Sequence, residues 1–201
     1  MNTAIKMPLR SLKPEVVRNL QEKYPAAVVS IEVETPGESP AMDEQRFWEI
    51  IDLLDWGRKQ SEDIIAPVVE TLSRSTEQDI YRFDQILAEK LHALDGEAYA
   101  RTLGWSGSDG NHFSVDGFLY ARCCAVANGS AFYQKVLENP SAMPKQYTFE
   151  PLLYVAEKAY RLKTGSGDYD FLPTVSYETF SNGLGWPGQV SLSNIIKGRT
   201  E

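Results

Sequence analysis

The stretch Gly117 to Gly129, GFLYARCCAVANG, constrains this chain more than any other. From Phe118 to Ala127 every residue except Arg122 is apolar or aromatic. Ser114 just before it suits a helix N-cap, Asp116 in the first turn complements the helix dipole, and Gly129 suits the C-terminal stop. A helix apolar on all sides has no face to turn to water, so it must lie inside the fold under other elements. Arg122 keeps its proton in any protein environment, and burying it demands carboxylates or carbonyls within the core. Two carboxylates on the preceding long helix are candidate partners: Asp84, next to the core position Phe83, and Asp95 at that helix's end. The expected roles are architectural, with Ser114 and Asp116 starting the helix and Arg122 tying it to a neighbour.

The covering helices are readable from their apolar spacing. DEQRFWEIIDLLDWG puts Phe47, Ile50, Ile51 and Leu54 on one stripe, ended by Gly57. Ser61 opens a segment carrying Ile64, Ile65, Val68 and Leu72, in which Pro67 is expected to kink or delay the helix. Ser75 with Gln78 has the spacing of a capping box for a long helix lined by Ile80, Phe83, Leu87, Leu91 and Leu94. Short helices are expected over Glu97–Leu103 and Ser130–Glu138, and FEPLLYVAEKAYRLK supplies a last amphipathic one. Outside this set, AVVSIEVE near the N-terminus alternates as a half-buried strand does, behind a short helix. The aromatic, turn-rich end of the chain is read as one or two short strands and a loop that packs Trp186.

The fold class expected is therefore mainly α within an α+β frame. Residues 1–40 form a small α/β unit, 41–165 a domain of about six helices, and 166–201 a tail packed on that domain. TPGESPA, between the first two, has the composition of a linker.

Charge narrows the choice of partners. The net charge is −8, and all of it falls within residues 41–100, since the flanking regions balance. An acidic chain repels phosphate, which argues against nucleic acid. No apolar run is long enough to cross a membrane, and the first residues lack the apolar core of a secretory signal. The only two cysteines, Cys123 and Cys124, are adjacent and cannot staple distant segments. A cytoplasmic location follows as the expectation.

At this point the residues match a known family. The core FSVDGFLYARCCAVANGSAFYQKVLENPSAM resembles the bacterial domain-of-unknown-function family 4240. Ser114, Asp116, Gly117, Phe118, Tyr120, Arg122, Gly129, Tyr133 and Pro140 fall on its hallmark, while Phe47-Trp48 and Phe83-Asp84 match its earlier F-W and F-D pairs. Phe113, Val115 and Cys124 depart from the hallmark, which has Cys, Asp and Trp there. The resemblance spans about residues 42–145 and implies a helical domain, with no activity attached.

Site chemistry is sparse. His92 and His112 are far apart in sequence and the cysteines lack C-x-x-C spacing, so no metal or cofactor is expected. Gly104, Gly107 and Gly110 follow a helix and lack the lysine of a phosphate loop. One loop, with Trp105, Asp109, His112 and Asp116, leads into the buried helix and carries a candidate general base. The leading expectation is a non-catalytic protein-binding module of immunity-like or accessory type. Its acidic helical face, represented by Asp52, Asp55 and Glu62 with Trp105 as a further binding candidate, would meet a basic protein. The alternative is a small hydrolase or transferase using the His112–Asp116 loop.

Overall fold

A computed structural model describes residues 18–19, 22–24, 42–107 and 113–187. The chain divides into two units, Met1–Glu38 and Ser39–Glu201. The strand expected over 27–34 lies outside the described residues, as does most of the helix expected before it.

Among the described residues the second unit contains seven α-helices and no strand. Helix α1 (Glu44–Ile51) starts on Asp43, whose carboxylate accepts the Arg46 N–H at 2.8 Å, and buries Phe47, Trp48, Ile50 and Ile51. Helix α2 (Ser61–Ser73) continues through Pro67. The ring removes one backbone donor, and burial of Ile65, Val68 and Leu72 on either side outweighs that loss.

Helix α3 (Glu77–Ala93) is capped one residue later than the sequence suggests. Thr76 and Asp79, rather than Ser75 and Gln78, exchange the reciprocal capping bonds. Asp79 brings a negative charge to the helix N-terminus and also accepts the Met42 N–H at 3.1 Å, so the same carboxylate ties α3 to the start of α1.

Helix α4 (Glu97–Arg101) is a single turn. Helix α5 (Val115–Ala127) is the apolar segment, starting where the Ser114 hydroxyl accepts the Gly117 N–H at 2.9 Å. It is enclosed by α3, by α6 (Ser130–Glu138) and by the 3-10 turn η2 (Glu150–Tyr154), while η1 (Pro140–Ala142) follows α6. Gly129, at φ 85°, makes the sharp reversal between α5 and α6 that a residue with a side chain would resist. Helix α7 (Val155–Thr164) continues from η2 and packs along α2 and α3.

The short strands expected near the C-terminus do not form within the described residues. Residues 166–187 instead run as a strap over α3, with short turns of its own and with several of its backbone groups bonded to side chains of the helices rather than to a neighbouring strand. Gln85 accepts the Thr174 N–H and donates to its hydroxyl, each at 2.8 Å. His92 Nδ1 donates to the Ser176 carbonyl at 2.7 Å. At the helix end, buried Asp95 accepts from Phe180 N (3.1 Å), Asn182 N (2.9 Å) and Trp186 Nε1 (3.0 Å).

Phe180 holds φ 75°, uncommon for a side chain of its size, fixed by the bond to Asp95 and by ring contact with Trp186 at 4.5 Å. Trp186 is buried among Trp105, Phe118 and Phe180. Further along, Phe171 stacks on Tyr81 at 5.0 Å and Tyr169 packs against Tyr81 and Tyr160.

Candidate functional site: an acidic aromatic cleft

Between the strap and the helices lies a cleft of about 410 Å³. Asp84 of α3 stands at its inner side, half-buried. The first turns of α5 contribute Asp116 and Tyr120, and the η2–α7 junction contributes Tyr154 and Glu157. The strap supplies the opposite wall with Tyr169, Phe171, Tyr177 and Glu178. Four carboxylates and four tyrosines thus converge, and among the described residues no Lys, Arg or His lines the cleft.

The electrostatics follow from this composition. Burial pushes the Asp84 carboxyl up to about 6, and only the Tyr169 hydroxyl, donating to Oδ2 at 2.8 Å, works against it. Tyr169, Tyr177 and Tyr120 are all held above the usual phenol range, by burial first and then by neighbouring carboxylates. Glu157 is paired with Arg161 at 2.7 Å. Asp84, Asp116 and Glu178 have no salt bridge among the described residues. The cleft is therefore lined by carboxylates of which three make no salt bridge among the described residues, in a partly dry, aromatic setting.

The residues singled out from sequence are distributed as follows. Arg122 is fully buried; its Nη1 donates to the carbonyls of Leu91 and Tyr177, each at 2.9 Å, and its Nη2 to Thr179 Oγ1 at 3.0 Å. The guanidinium lies 4.7 Å over the Phe118 ring and 4.0 Å from Asp95. Asp95 is thus the carboxylate beside it, whereas Asp84 faces the cleft. Asp116 is exposed and also lies on the cleft. Trp105 is half-buried against Phe113, Phe180 and Trp186, so most of its ring serves packing. Asp109 and His112 lie outside the described residues.

On the helical face, Asp55 is paired with Arg58 at 2.9 Å and Glu62 with Lys158 at 3.0 Å, while Asp52 is exposed. Glu49, Glu70 and Glu89 likewise have Arg46, Arg74 and Arg82 beside them. Much of the acidity of 41–100 is thereby answered locally. Cys123 and Cys124 are buried, and burial pushes the Cys123 thiol up to about 12, far from a reactive thiolate.

The sequence did hold a signal for the strap contact. Tyr81, Asp84, Gln85, Ala88, His92 and Asp95 recur at helical spacing on a second stripe of α3, beside its core stripe. A polar stripe on a helix already committed to the core normally reads as a solvated face. Here the small Ala88, fully buried, lets the strap approach while the polar members bond to it.

Among the described residues, no three His, Cys, Asp or Glu side chains gather closely enough to hold a metal ion, and no helix is long and apolar enough to cross a membrane. No curated protein and no solved structure matches the chain. The family comparison matches residues 42–162, more than half of the sequence, to the description "Protein of unknown function (DUF4240)". That span holds α1 through most of α7, with Asp84, Asp116, Tyr120 and Arg122, and it stops short of the strap. A helical core with the buried Arg122 at its centre, matched over that span, makes this chain a member of the DUF4240 family.

Proposed function

We propose that the second unit is a non-catalytic binding module that receives a basic segment of a protein partner at the acidic aromatic cleft. The supporting observation is that Asp84, Asp116 and Glu178 converge on one concavity without a basic side chain among its described lining. Uncompensated like charge in a cleft is costly to keep, and a cationic ligand removes that cost. The carboxylates of the helical face, by contrast, largely have cations beside them already. Paired surface charges contribute about 0–1 kcal/mol and leave little for a partner to gain.

The test is titration of a labelled lysine-rich peptide against three forms of the protein, at low and at near-physiological salt. The wild type is expected to bind, with affinity falling as salt rises. Asp116→Lys with Glu178→Lys should abolish binding, whereas Asp52→Lys with Asp55→Lys and Glu62→Lys should leave it within about two-fold, the usual tolerance for exposed, independent charges. The opposite pattern would move the binding surface to the helical face. No binding by the wild type would remove the basic-partner proposal altogether.

A further inference from the structure

We infer that the group this cleft selects is an alkylammonium, the head of a lysine side chain in the partner's basic segment, with Asp84 as its counter-ion and tyrosine faces as its walls. This rests on the proposal that the partner is basic, and goes beyond it by choosing between the two cations a basic protein can offer.

Dimensions point first to an organic cation. The carboxylates stand too far apart to close together on a metal ion, and about 410 Å³ accommodates a larger group. The walls point the same way, because tyrosine and phenylalanine faces attract an ammonium through their ring quadrupoles, by about 0.5–2 kcal/mol per contact depending on desolvation. Leu153, Leu172 and Pro173 also line the cleft, and Leu172 is 84% exposed, so a methylene stem would find apolar cover.

The inner carboxylate favours ammonium over guanidinium. Oδ2 of Asp84 already accepts the Tyr169 hydroxyl at 2.8 Å. An arginine fork gains most from a carboxylate whose two oxygens are both unshared, and on Asp84 it would have to share Oδ2 with the Tyr169 hydroxyl. An ammonium is a compact point charge that needs a single oxygen and can turn its remaining surface to aromatic rings.

The chain carries an internal example of this arrangement away from the cleft. Lys90 is mostly buried, with Nζ 2.5 Å from one oxygen of Glu44, 5.8 Å from the Trp48 ring and 5.5 Å from the Tyr133 ring. The cleft likewise brings a carboxylate and tyrosine rings together, but the ammonium has to come from outside.

The experiment compares two peptides of equal length and charge, one carrying lysines and one arginines, on the wild type, Asp84→Asn and Tyr169→Phe. Amide NMR spectra confirm that each variant stays folded and locate the shifts. The wild type is expected to bind the lysine peptide about ten-fold more tightly, the scale of one lost charge-assisted contact. The perturbed amides should lie at Asp84, Tyr120 and residues 169–178. Asp84→Asn should erase the preference. Tyr169→Phe removes the donor that shares Oδ2 of Asp84 and should narrow the gap by improving the arginine peptide, an effect that simple loss of packing would not produce. Equal binding of both peptides with no change in Asp84→Asn would overturn the ammonium inference and leave the basic-partner proposal standing. If neither peptide binds, both fall.

Discussion

Asp95→Asn removes one charge and one acceptor while keeping the side chain's shape, which makes it a direct test of what holds the strap. Oδ1 of Asp95 accepts from Phe180 N and Trp186 Nε1, and Oδ2 accepts from Asn182 N at 2.9 Å and, more loosely, from Ser181 Oγ at 3.4 Å. An amide offers a single oxygen, so in either orientation its NH2 confronts at least one N–H donor. An unsatisfied buried donor costs about 1–3 kcal/mol. Loss of the negative charge 4.0 Å from Arg122 adds to this, since leaving one member of a buried pair alone costs about 3–5 kcal/mol.

Part of that second cost is spared, because Arg122 keeps its bonds to Leu91, Tyr177 and Thr179. A total of about 4 kcal/mol is therefore expected, which lowers the melting temperature of a chain this size by about 10 °C. Thermal unfolding followed by circular dichroism reads the global change. Tryptophan fluorescence and limited proteolysis between residues 176 and 187 read release of the strap, with Trp186 reporting locally. Because the strap carries Tyr169, Tyr177 and Glu178, the variant should also bind the lysine peptide more weakly. A melting temperature within about 1 °C of wild type, with the strap still protected, would refute the idea that Asp95 anchors it.

Two further outcomes follow from the same geometry. The Asp84 carboxyl titrates at about 6 in the folded protein against 3.8 for the free group, so the native state binds this proton first. Its contribution to stability is fully present below pH ~4 and is lost as pH rises through ~6, leaving a cost of about 3 kcal/mol near neutrality. Urea midpoints should therefore show Asp84→Asn more stable than wild type near pH ~7, with the gap closing near pH ~4; a gap independent of pH would contradict the burial of a titrating Asp84. At the strap's end, Gly185 lies so close to the end of α3 that an added Cβ would stand 2.2 Å from the Asp95 carbonyl oxygen and 2.9 Å from the Gly96 Cα. Gly185→Ala should displace the Glu97 N–H···Gly185 O bond of 2.7 Å and cost about 1–3 kcal/mol, read as a lower urea midpoint, whereas Gly183→Ala, with open space around it, should be nearly neutral.

Periodicity alone located most of the helices, because each buries a stripe of apolar residues that recurs with the helical repeat. Local signals also carried Asp43, Ser114 and Gly129 as helix boundaries. The α3 cap was misplaced by one residue since Ser75 and Thr76 are chemically equivalent there, and Asp79, through its bond to Met42, favours the second. For the C-terminal segment, β-prone aromatics suggested strands. With no strand among the described residues to pair with, that segment makes hydrogen bonds to Gln85, His92, Asp95 and Arg122 instead.

What the sequence determined by itself is a helical unit with an all-apolar helix inside it, an arginine that must be satisfied within the fold, and where along the chain the acidic residues fall. These depend on neighbours a few residues apart, and the spacing of residues records them. Tertiary structure decided which carboxylates have cations beside them and which do not. Glu62 meets Lys158 and Glu44 meets Lys90 across helices, while Asp84 and Glu178, 94 positions apart, line the same cleft without a salt bridge among the described residues. Pairings of that kind depend on how α3, α5, α7 and the strap pack, and a chain's linear order does not encode such separations in any local pattern.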